Sequence, residues 1–183
     1  MAVYKFRILL DSVPNEEVFR DILIDSTNNF KDLHDTILKA FDFTGEQLSS
    51  FYISNDDWDK GEEISLMDMS FGEEEASKTM DETLLEDCMY DARQKIILVY
   101  DFLKMWIFLI ELQEVTQTSE HTLPFCTVAI GDAPKEDSRE SELEEEIYAD
   151  DYLGNFDDEF KSEFDDELDD ENVSFDNIDD YDF

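Results

Sequence analysis

Acidic residues are distributed unevenly along this sequence, and that distribution constrains the fold more than any other feature. The 183 residues include 51 Asp plus Glu against 13 Lys plus Arg, a formal net charge of −38. Residues 134–183 hold 23 acidic and 3 basic residues, so more than half of the charge lies in little more than a quarter of the length. We therefore predict one folded domain over residues 1–133 and a disordered, acidic low-complexity tail over residues 134–183.

The same charge restricts the kinds of partner. DNA, RNA and anionic membranes repel such a chain at long range, so we expect no direct nucleic-acid or membrane binding, and a basic protein as the natural partner. Only Cys88 and Cys126 occur, and the first residues lack the basic start and long apolar run of a signal peptide. These features predict a reducing cytoplasm. The sequence carries no signal for an oligomeric state.

Hydrophobic periodicity in the first part of the chain predicts a hairpin followed by a helix. Residues 3–10 and 18–25 read as strands, with a Pro-Asn turn signal between them. Residues 26–29 are rich in helix-capping side chains. Residues 30–41 then carry apolar side chains at intervals of three and four, as an amphipathic helix does, and the helix is expected to close near Gly45.

The remainder of the predicted domain reads mostly as strands. Residues 50–54 are a short strand candidate, residues 55–72 a polar loop and residues 81–88 a short helix. Residues 94–100 and 105–115 are long apolar segments of high β propensity, which predict a second, longer hairpin. The whole order indicates an α+β domain, in which the helix covers one face of a mostly antiparallel sheet.

Residues 96–112 also form the longest apolar run of the chain. However, Asp101 and Lys104 lie near its middle, and each would cost about 2.5–3.5 kcal/mol at the centre of a bilayer. Two buried strands are therefore the preferred prediction over a spanning helix.

Motifs for cofactors, metals and catalysis are absent from the sequence. Its five glycines are at least eleven residues apart, which excludes a glycine-rich phosphate loop. His34 and His121 are 87 residues apart without a thiol pair at metal-ligand spacing, so we predict no metal site and no cofactor. In a chain with 51 carboxylates, no particular pair identifies an acid/base catalyst, and no catalytic residue is predicted.

Several blocks follow the pattern of one protein family. They are Tyr-Lys-Phe-Arg-Ile-Leu-Leu at 4–10, Val-Phe-Arg at 18–20, Phe-Lys-Asp-Leu-His at 30–34, Ala-Phe-Asp-Phe at 40–43, Leu-Ser-Ser-Phe at 48–51, Tyr-Asp-Phe at 100–102 with Trp106 and Ile-Glu-Leu at 110–112, and Gly-Asp-Ala-Pro-Lys-Glu-Asp at 131–137. In this order they resemble the plasmid pRiA4b ORF-3-like family. The resemblance implies a compact α+β fold and an association with plasmids and transposable elements, with no established activity.

Departures from the family pattern affect its polar positions. Leu103-Lys104 stands where the family has Gly-Asp, and Phe108 stands where it has His. Among the polar positions retained here, His34 and Asp101 are the two that could converge. The resemblance therefore makes His34 and Asp101 the candidate ligand-binding residues.

Aromatic side chains in the second hairpin have a simpler interpretation. Tyr100, Phe102, Trp106, Phe108 and Ile110 are separated by even numbers of positions, so in a strand they would share one face of the sheet. Because aromatic stripes in strands usually bury area, we interpret them as hydrophobic core rather than as a binding site.

Apolar residues in the tail are spaced by four, and two of the intervals between them are the acidic triplet Asp-Asp-Glu. They are Tyr148, Tyr152, Phe156, Phe160, Phe164 and Leu168. In a helix this period would align them in a slowly spiralling row, but carboxylates at i and i+4 oppose that helix in water. The tail is therefore either a solvating segment or a segment that folds on a basic, partly apolar partner.

Two functional hypotheses follow. The first is a non-enzymatic interaction module whose acidic, aromatic tail binds a basic protein. The alternative is a small-ligand-binding protein or enzyme that uses a groove between the helix at 30–41 and the hairpin at 94–115. A pocket shared by His34 and Asp101 would favour the alternative.

Overall fold

The structure, a computed structural model, describes residues 1–11, 16–72 and 77–139. Its elements are β1 (Val3–Leu10), β2 (Phe19–Asp25), α1 (Phe30–Ala40), β3 (Ser49–Ser54), β4 (Lys60–Ser65), β5 (Lys78–Thr79), α2 (Leu85–Cys88), β6 (Lys95–Tyr100), β7 (Trp106–Thr116), β8 (Phe125–Ile130) and a 3₁₀ turn (Glu136–Ser138). Most of the predicted acidic tail, from residue 140 onward, lies outside the described residues.

The described strands form one sheet in the order β5-β4-β3-β6-β7-β1-β2-β8. Neighbouring strands are antiparallel, except that β4 and β5 run parallel. The predicted hairpins are β1–β2 and β6–β7, and β1 also pairs with β7, which brings the two hairpins together in the centre of the sheet. The predicted α+β class, with a mostly antiparallel sheet, is confirmed.

Helix α1 packs its apolar stripe on one face of this sheet. Its start is fixed by a capping box, in which the Asn29 side chain accepts a hydrogen bond from the Asp32 amide and the Asp32 carboxylate accepts one from the Asn29 amide. Phe30 and Ile37 are buried in the core together with inward-facing side chains of the central strands. The helix ends at Ala40 rather than near Gly45, because Asp42 adopts a left-handed conformation with φ of 64°.

Three features of the sheet differ from the sequence prediction. The polar loop predicted at 55–72 contains β4, whose exposed Lys-Gly-Glu-Glu start lacks an alternating pattern but pairs with β3. Strand β8 was not predicted, and it adds to β2 at the other end of the sheet. Phe102 lies in the β6–β7 turn and is 42% exposed, so it does not belong to the buried stripe formed by its predicted companions.

The apolar run at 96–112 forms strand β6, the turn and most of strand β7, as predicted. Among the described residues, the helices are too short and too polar to cross a bilayer.

Candidate functional site

A groove of about 500 Å³ lies beyond the C-terminal end of α1. Three stretches of chain form it: the residues after the helix, the turn between β6 and β7, and the segment after β8. The lining residues are Asp42, Thr44, Glu46, Gln47, Asp101, Lys104, Ala133, Pro134, Lys135, Glu136 and Asp137. The groove therefore joins three of the blocks that resemble the family, those at 40–43, 100–102 and 131–137.

Glu136 links the segment after β8 to the loop after α1 and to the end of β6. Its carboxylate accepts hydrogen bonds from the Thr44 amide at 2.7 Å, the Thr44 hydroxyl at 3.1 Å and the Tyr100 hydroxyl at 2.5 Å. The Tyr100 oxygen in turn accepts hydrogen bonds from the backbone amides of Gly45 and Gln47. These bonds fix the loop after α1 and the segment at 133–137 against the end of β6.

Trp106 in β7 also holds the segment after β8 in place. Its indole N–H donates to the Glu136 carbonyl oxygen at 3.2 Å, and the Arg139 guanidinium lies 5.2 Å from the centre of its ring. Phe43 packs against Trp106 with a centroid distance of 5.1 Å and against Tyr100 at 5.7 Å. Phe43, Tyr100 and Trp106 therefore form a buried aromatic cluster that supports the groove from the core without lining it, as the structural interpretation of the aromatic stripe predicts.

The hydrogen bonds to Glu136 also set its charge. Burial disfavours the ionised carboxylate, but donation from the Thr44 amide and the Tyr100 hydroxyl outweighs burial, and Lys104 adds an attractive charge, so the pKa of Glu136 lies below its usual value. Conversely, burial and the bond to Glu136 raise the pKa of Tyr100. At neutral pH the pair is thus a carboxylate and a neutral phenol.

Asp101 occupies the wall of the groove, where its residue is only 6% exposed. It has a positive φ of 60°, and its Oδ1 accepts hydrogen bonds from the amides of Leu103 at 3.0 Å and Lys104 at 3.2 Å. Because backbone amides make these bonds, the Leu103-Lys104 pair serves the turn although it departs from the family's Gly-Asp. The turn between β6 and β7 therefore fixes the position of the Asp101 carboxylate.

His34 lies elsewhere, on the buried face of α1, with 1% exposure. Its Nδ1 is 2.9 Å from Asp35 Oδ1 and its Nε2 is 2.7 Å from Ser49 Oγ. Burial lowers the pKa of His34, although Asp35 opposes that effect, so the ring is neutral at physiological pH. His34 does not line the groove that contains Asp101. The structure thus places the two candidate residues in separate environments, and His34 serves as a hydrogen-bonded core residue.

Several residues of the groove were not singled out from the sequence. Glu136 has the largest role among them, and the signal for it was its place in the Gly-Asp-Ala-Pro-Lys-Glu-Asp block at 131–137, which resembles the family. Thr44 carried no signal of its own, and Lys104 was noted only as a departure from the family pattern and as a charge within the apolar run. The predicted partner-binding row from Tyr148 to Leu168 lies outside the described residues.

Reactive thiols and metal ligands do not converge in the described ranges. Burial raises the pKa of Cys126 and of Cys88, which keeps both as thiols rather than nucleophilic thiolates. His121 stacks on Phe125 with a centroid distance of 4.1 Å. Within the part of the chain that the structure describes, no group of three His, Cys, Asp or Glu side chains is arranged to hold a metal ion.

The lining of the groove is rich in negative charge. Its five acidic residues, Asp42, Glu46, Asp101, Glu136 and Asp137, face two basic ones, Lys104 and Lys135. Asp101 and Glu136 are held in the wall by hydrogen bonds, whereas the carboxylates of the other three are exposed at the rim. Chemically, the groove can accept ammonium or guanidinium groups, which form charge-assisted hydrogen bonds with carboxylates.

Comparison with known proteins agrees with the earlier resemblance. The sequence matches the family described as plasmid pRiA4b ORF-3-like protein over residues 2–179. The fold is similar to the crystal structure of MM3350, a protein of unknown function from Methanosarcina mazei Go1, with a TM-score of 0.64, 20% sequence identity and coverage of 81% of this chain and 80% of that chain. No curated protein matches the chain. Because the family match spans nearly the whole sequence, the chain belongs to the plasmid pRiA4b ORF-3-like protein family.

Proposed function

We propose that this protein is a non-enzymatic interaction module that binds a basic protein partner through its acidic surfaces. The observation that carries the proposal is the carboxylate-rich groove, with five acidic and two basic residues in its lining. The net charge of −38 supports it, because a field of that size attracts polycations and accelerates their association.

The groove suits a side chain of lysine or arginine. The ionised Glu136 and the turn-held Asp101 supply negative charge in the wall, while Asp42, Glu46 and Asp137 are exposed at the rim, where a cation can reach them. Behind the lining residues, Phe43 packs against the buried Trp106, so the wall is anchored to the core and a bound cation meets a preformed site.

The tail is the second part of the proposed surface. We propose that residues 146–170 gain helix on a polybasic partner, because basic side chains neutralise the carboxylates at i and i+4 that oppose the helix. The row of apolar residues spaced by four would then pack on the partner. The family's association with plasmids and transposable elements favours a nucleic-acid-binding protein as this partner, whose basic surface the module would mask.

Titration of the full-length protein with a fluorescent polylysine or polyarginine peptide tests the proposal. The groove variant is Asp42→Asn with Glu46→Gln and Asp137→Asn, and the tail variant is Phe156→Ser with Phe160→Ser and Phe164→Ser. Binding should weaken in both variants and should weaken as salt rises, because ionic screening acts over about 8 Å at physiological ionic strength.

A matched control separates the groove from overall charge. The triple variant Asp57→Asn, Asp91→Asn and Glu120→Gln removes the same number and kinds of charge from exposed sites outside the groove lining. If this control weakens binding as much as the groove variant does, and the tail variant has no effect, only nonspecific polyanion binding remains and the proposal fails.

The alternative, a small-ligand-binding protein or enzyme, draws support from the volume of the groove, which is within the range of about 300–1,000 Å³ typical of ligand pockets. The groove lies at the end of α1 and beside the β6–β7 turn and contains Asp101 but not His34, so it is not the shared pocket that would favour this alternative. A small cationic metabolite that binds the full-length protein with saturation, and that the groove variant no longer binds, would favour this alternative.

A further inference from the structure

Strand β8 forms one edge of the described sheet and carries no charged residue. It pairs with β2 on one side, and among the described residues no strand pairs with its other side. An edge strand exposes a row of unpaired N–H and C=O groups, and proteins usually protect such edges with charges, prolines or very short strands. The opposite edge, β5, is protected by its length of two residues. β8 is six residues long in a chain in which 35% of residues are charged.

The strand is held firmly in place. The buried Arg20 donates hydrogen bonds to the carbonyl oxygens of Ile130 at 2.9 Å and Gly131 at 3.2 Å. The Thr127 hydroxyl donates to the Asp21 carbonyl oxygen at 3.3 Å. An edge anchored in this way needs little ordering before another strand adds to it.

The sequence of β8, Phe-Cys-Thr-Val-Ala-Ile, is nearly palindromic in size. From either end it reads a large apolar residue, a small residue and a β-branched residue. An antiparallel pair about a two-fold axis between Thr127 and Val128 sets Phe125 opposite Ile130 of a second copy, and Cys126 opposite Ala129. Isologous interfaces require such self-complementarity.

The faces of the sheet agree with this register. Phe125 lies opposite Leu23 and Ile130 lies opposite Phe19, which places both on the face away from α1. On that face Phe125 and Ile130 are 40% and 45% exposed. Ile130 continues an apolar row across three further strands, formed by Leu109, Leu9 and Phe19 at paired positions. A second copy would cover both exposed side chains at once.

We propose that β8 is a homodimerisation edge, at which two copies pair antiparallel to extend the sheet across a two-fold axis. The absence of charge on β8 favours a second copy as the partner, because two such strands place no like charges opposite each other. A basic partner, in contrast, would find no carboxylate on this strand to bind. The β-bulge of the β2–β8 pair falls at Thr127, and this extra residue is what places Phe125 and Ile130, five residues apart, on the same face of the sheet. The two copies carry like net charges, so dimerisation should strengthen as salt rises, opposite to the binding of a polybasic partner.

Sedimentation velocity of the full-length protein over a concentration series, at low and high salt, tests the proposal. Thr127→Lys places two lysines close to the axis and should raise the dimer dissociation constant by at least about tenfold. The exposed loop change Gln117→Lys adds the same charge and should leave the dimer intact. Because an added lysine reduces the net negative charge, general electrostatics would favour association in both variants, and only edge pairing predicts a loss in one of them.

Cross-linking provides a measurement that does not depend on Thr127→Lys. In the proposed register Ala129→Cys faces the native Cys126 of the second copy at a cross-strand distance suited to a disulfide. Mild oxidation should give a covalent dimer that is lost when Cys126→Ser is added. A wild-type protein that stays monomeric at all concentrations and salts, or an unchanged dimer in Thr127→Lys together with no Cys126-dependent cross-link, would overturn the proposal.

Discussion

At the scale of single residues, the groove depends on a few side chains that belong to both the core and the surface. Tyr100 and Trp106 are buried by the sheet, yet each makes a hydrogen bond to Glu136. The Tyr100 oxygen also accepts hydrogen bonds from the Gly45 and Gln47 amides in the loop after α1. Stability and the shape of the groove are therefore coupled at these positions, and variants must be tested for both.

Replacing Trp106 by alanine should destabilise the domain by about 3–5 kcal/mol, because Trp106 is fully buried against Phe43 and loses both its packing and its bond to Glu136. Chemical denaturation of the full-length protein measures this loss. Trp106→Phe keeps most of the buried area and should cost clearly less. Unchanged stability together with lost binding of a polybasic peptide would show instead that Trp106 is a binding residue.

Replacing Glu136 by glutamine should lower stability at neutral pH by an amount that disappears in acid. The pKa of Glu136 is below its usual value in the folded protein, so its ionised form stabilises the fold above the pKa of an unfolded glutamate, and this contribution is lost as the pH falls through the folded value. Urea denaturation of wild type and variant from pH 7 to pH 3 measures the difference.

Glu46→Gln is the control for this experiment, since it removes one charge from an exposed position of the same groove without removing the hydrogen bonds to Thr44 and Tyr100. Equal differences for the two variants at every pH would contradict the stabilising role of Glu136.

At the scale of elements, the end of β8 illustrates how one position can fix a strand. Gly131 has a positive φ of 76°, and a Cβ at this position would lie 2.4 Å from the Glu17 carbonyl oxygen and 3.1 Å from Val18 Cα. The chain therefore approaches the start of β2 more closely than an alanine allows. This close approach fixes the position of the segment that follows β8 and lines the groove.

We expect Gly131→Ala to destabilise the protein by more than about 1 kcal/mol, because it combines an unfavourable φ with a backbone clash. Gly72→Ala is the matched control, since Gly72 also has a positive φ of 88° but has open space around its Cβ position. Denaturant midpoints of the two variants separate the steric contribution from the conformational one. Equal losses in the two variants would show that the close approach to Glu17 has no energetic weight.

At the scale of the whole molecule, the boundary between domain and tail determines what folds alone. The predicted boundary at residue 133 stays a prediction. The structure adds that Glu136 and Arg139, which follow this boundary, make hydrogen bonds with residues of the domain before it. The family match also continues to residue 179. Residues just after 133 should therefore contribute to stability without being required for folding.

Chains ending at Ala133 and at Arg139 should both unfold cooperatively, because the central strands, α1 and both tryptophans lie before either end. The chain ending at Ala133 should melt at the lower temperature, since it lacks the bonds of Glu136 to Thr44 and Tyr100. Differential scanning calorimetry of the two chains and the full-length protein provides the comparison. Absence of a sharp transition in both shortened chains would show that later residues complete the core.

Local patterns in the sequence were sufficient to predict the class of fold and its main elements. The i, i+3 and i+4 spacing over 30–41, the alternation over 3–10 and the apolar runs over 94–115 are local signals, because side-chain periodicity follows directly from helix and strand geometry. The capping side chains before Phe30 likewise act within one turn of the chain. The family's blocks are also short, local stretches of sequence, so they could be recognised one after another.

The pairing partners of these elements and the position of the site depend on contacts between residues that are distant in the sequence. β4 and β8 lack a clear local pattern and are strands because β3 and β2 offer them paired edges. His34 and Asp101 both remain from the family pattern, but the helix turns His34 into the core, where Ser49 and Asp35 bind it, while a turn sets Asp101 in the groove wall. The contact of Tyr100 with Glu136 joins residues 36 positions apart, and such a contact depends on how the sheet places its strands rather than on any local spacing.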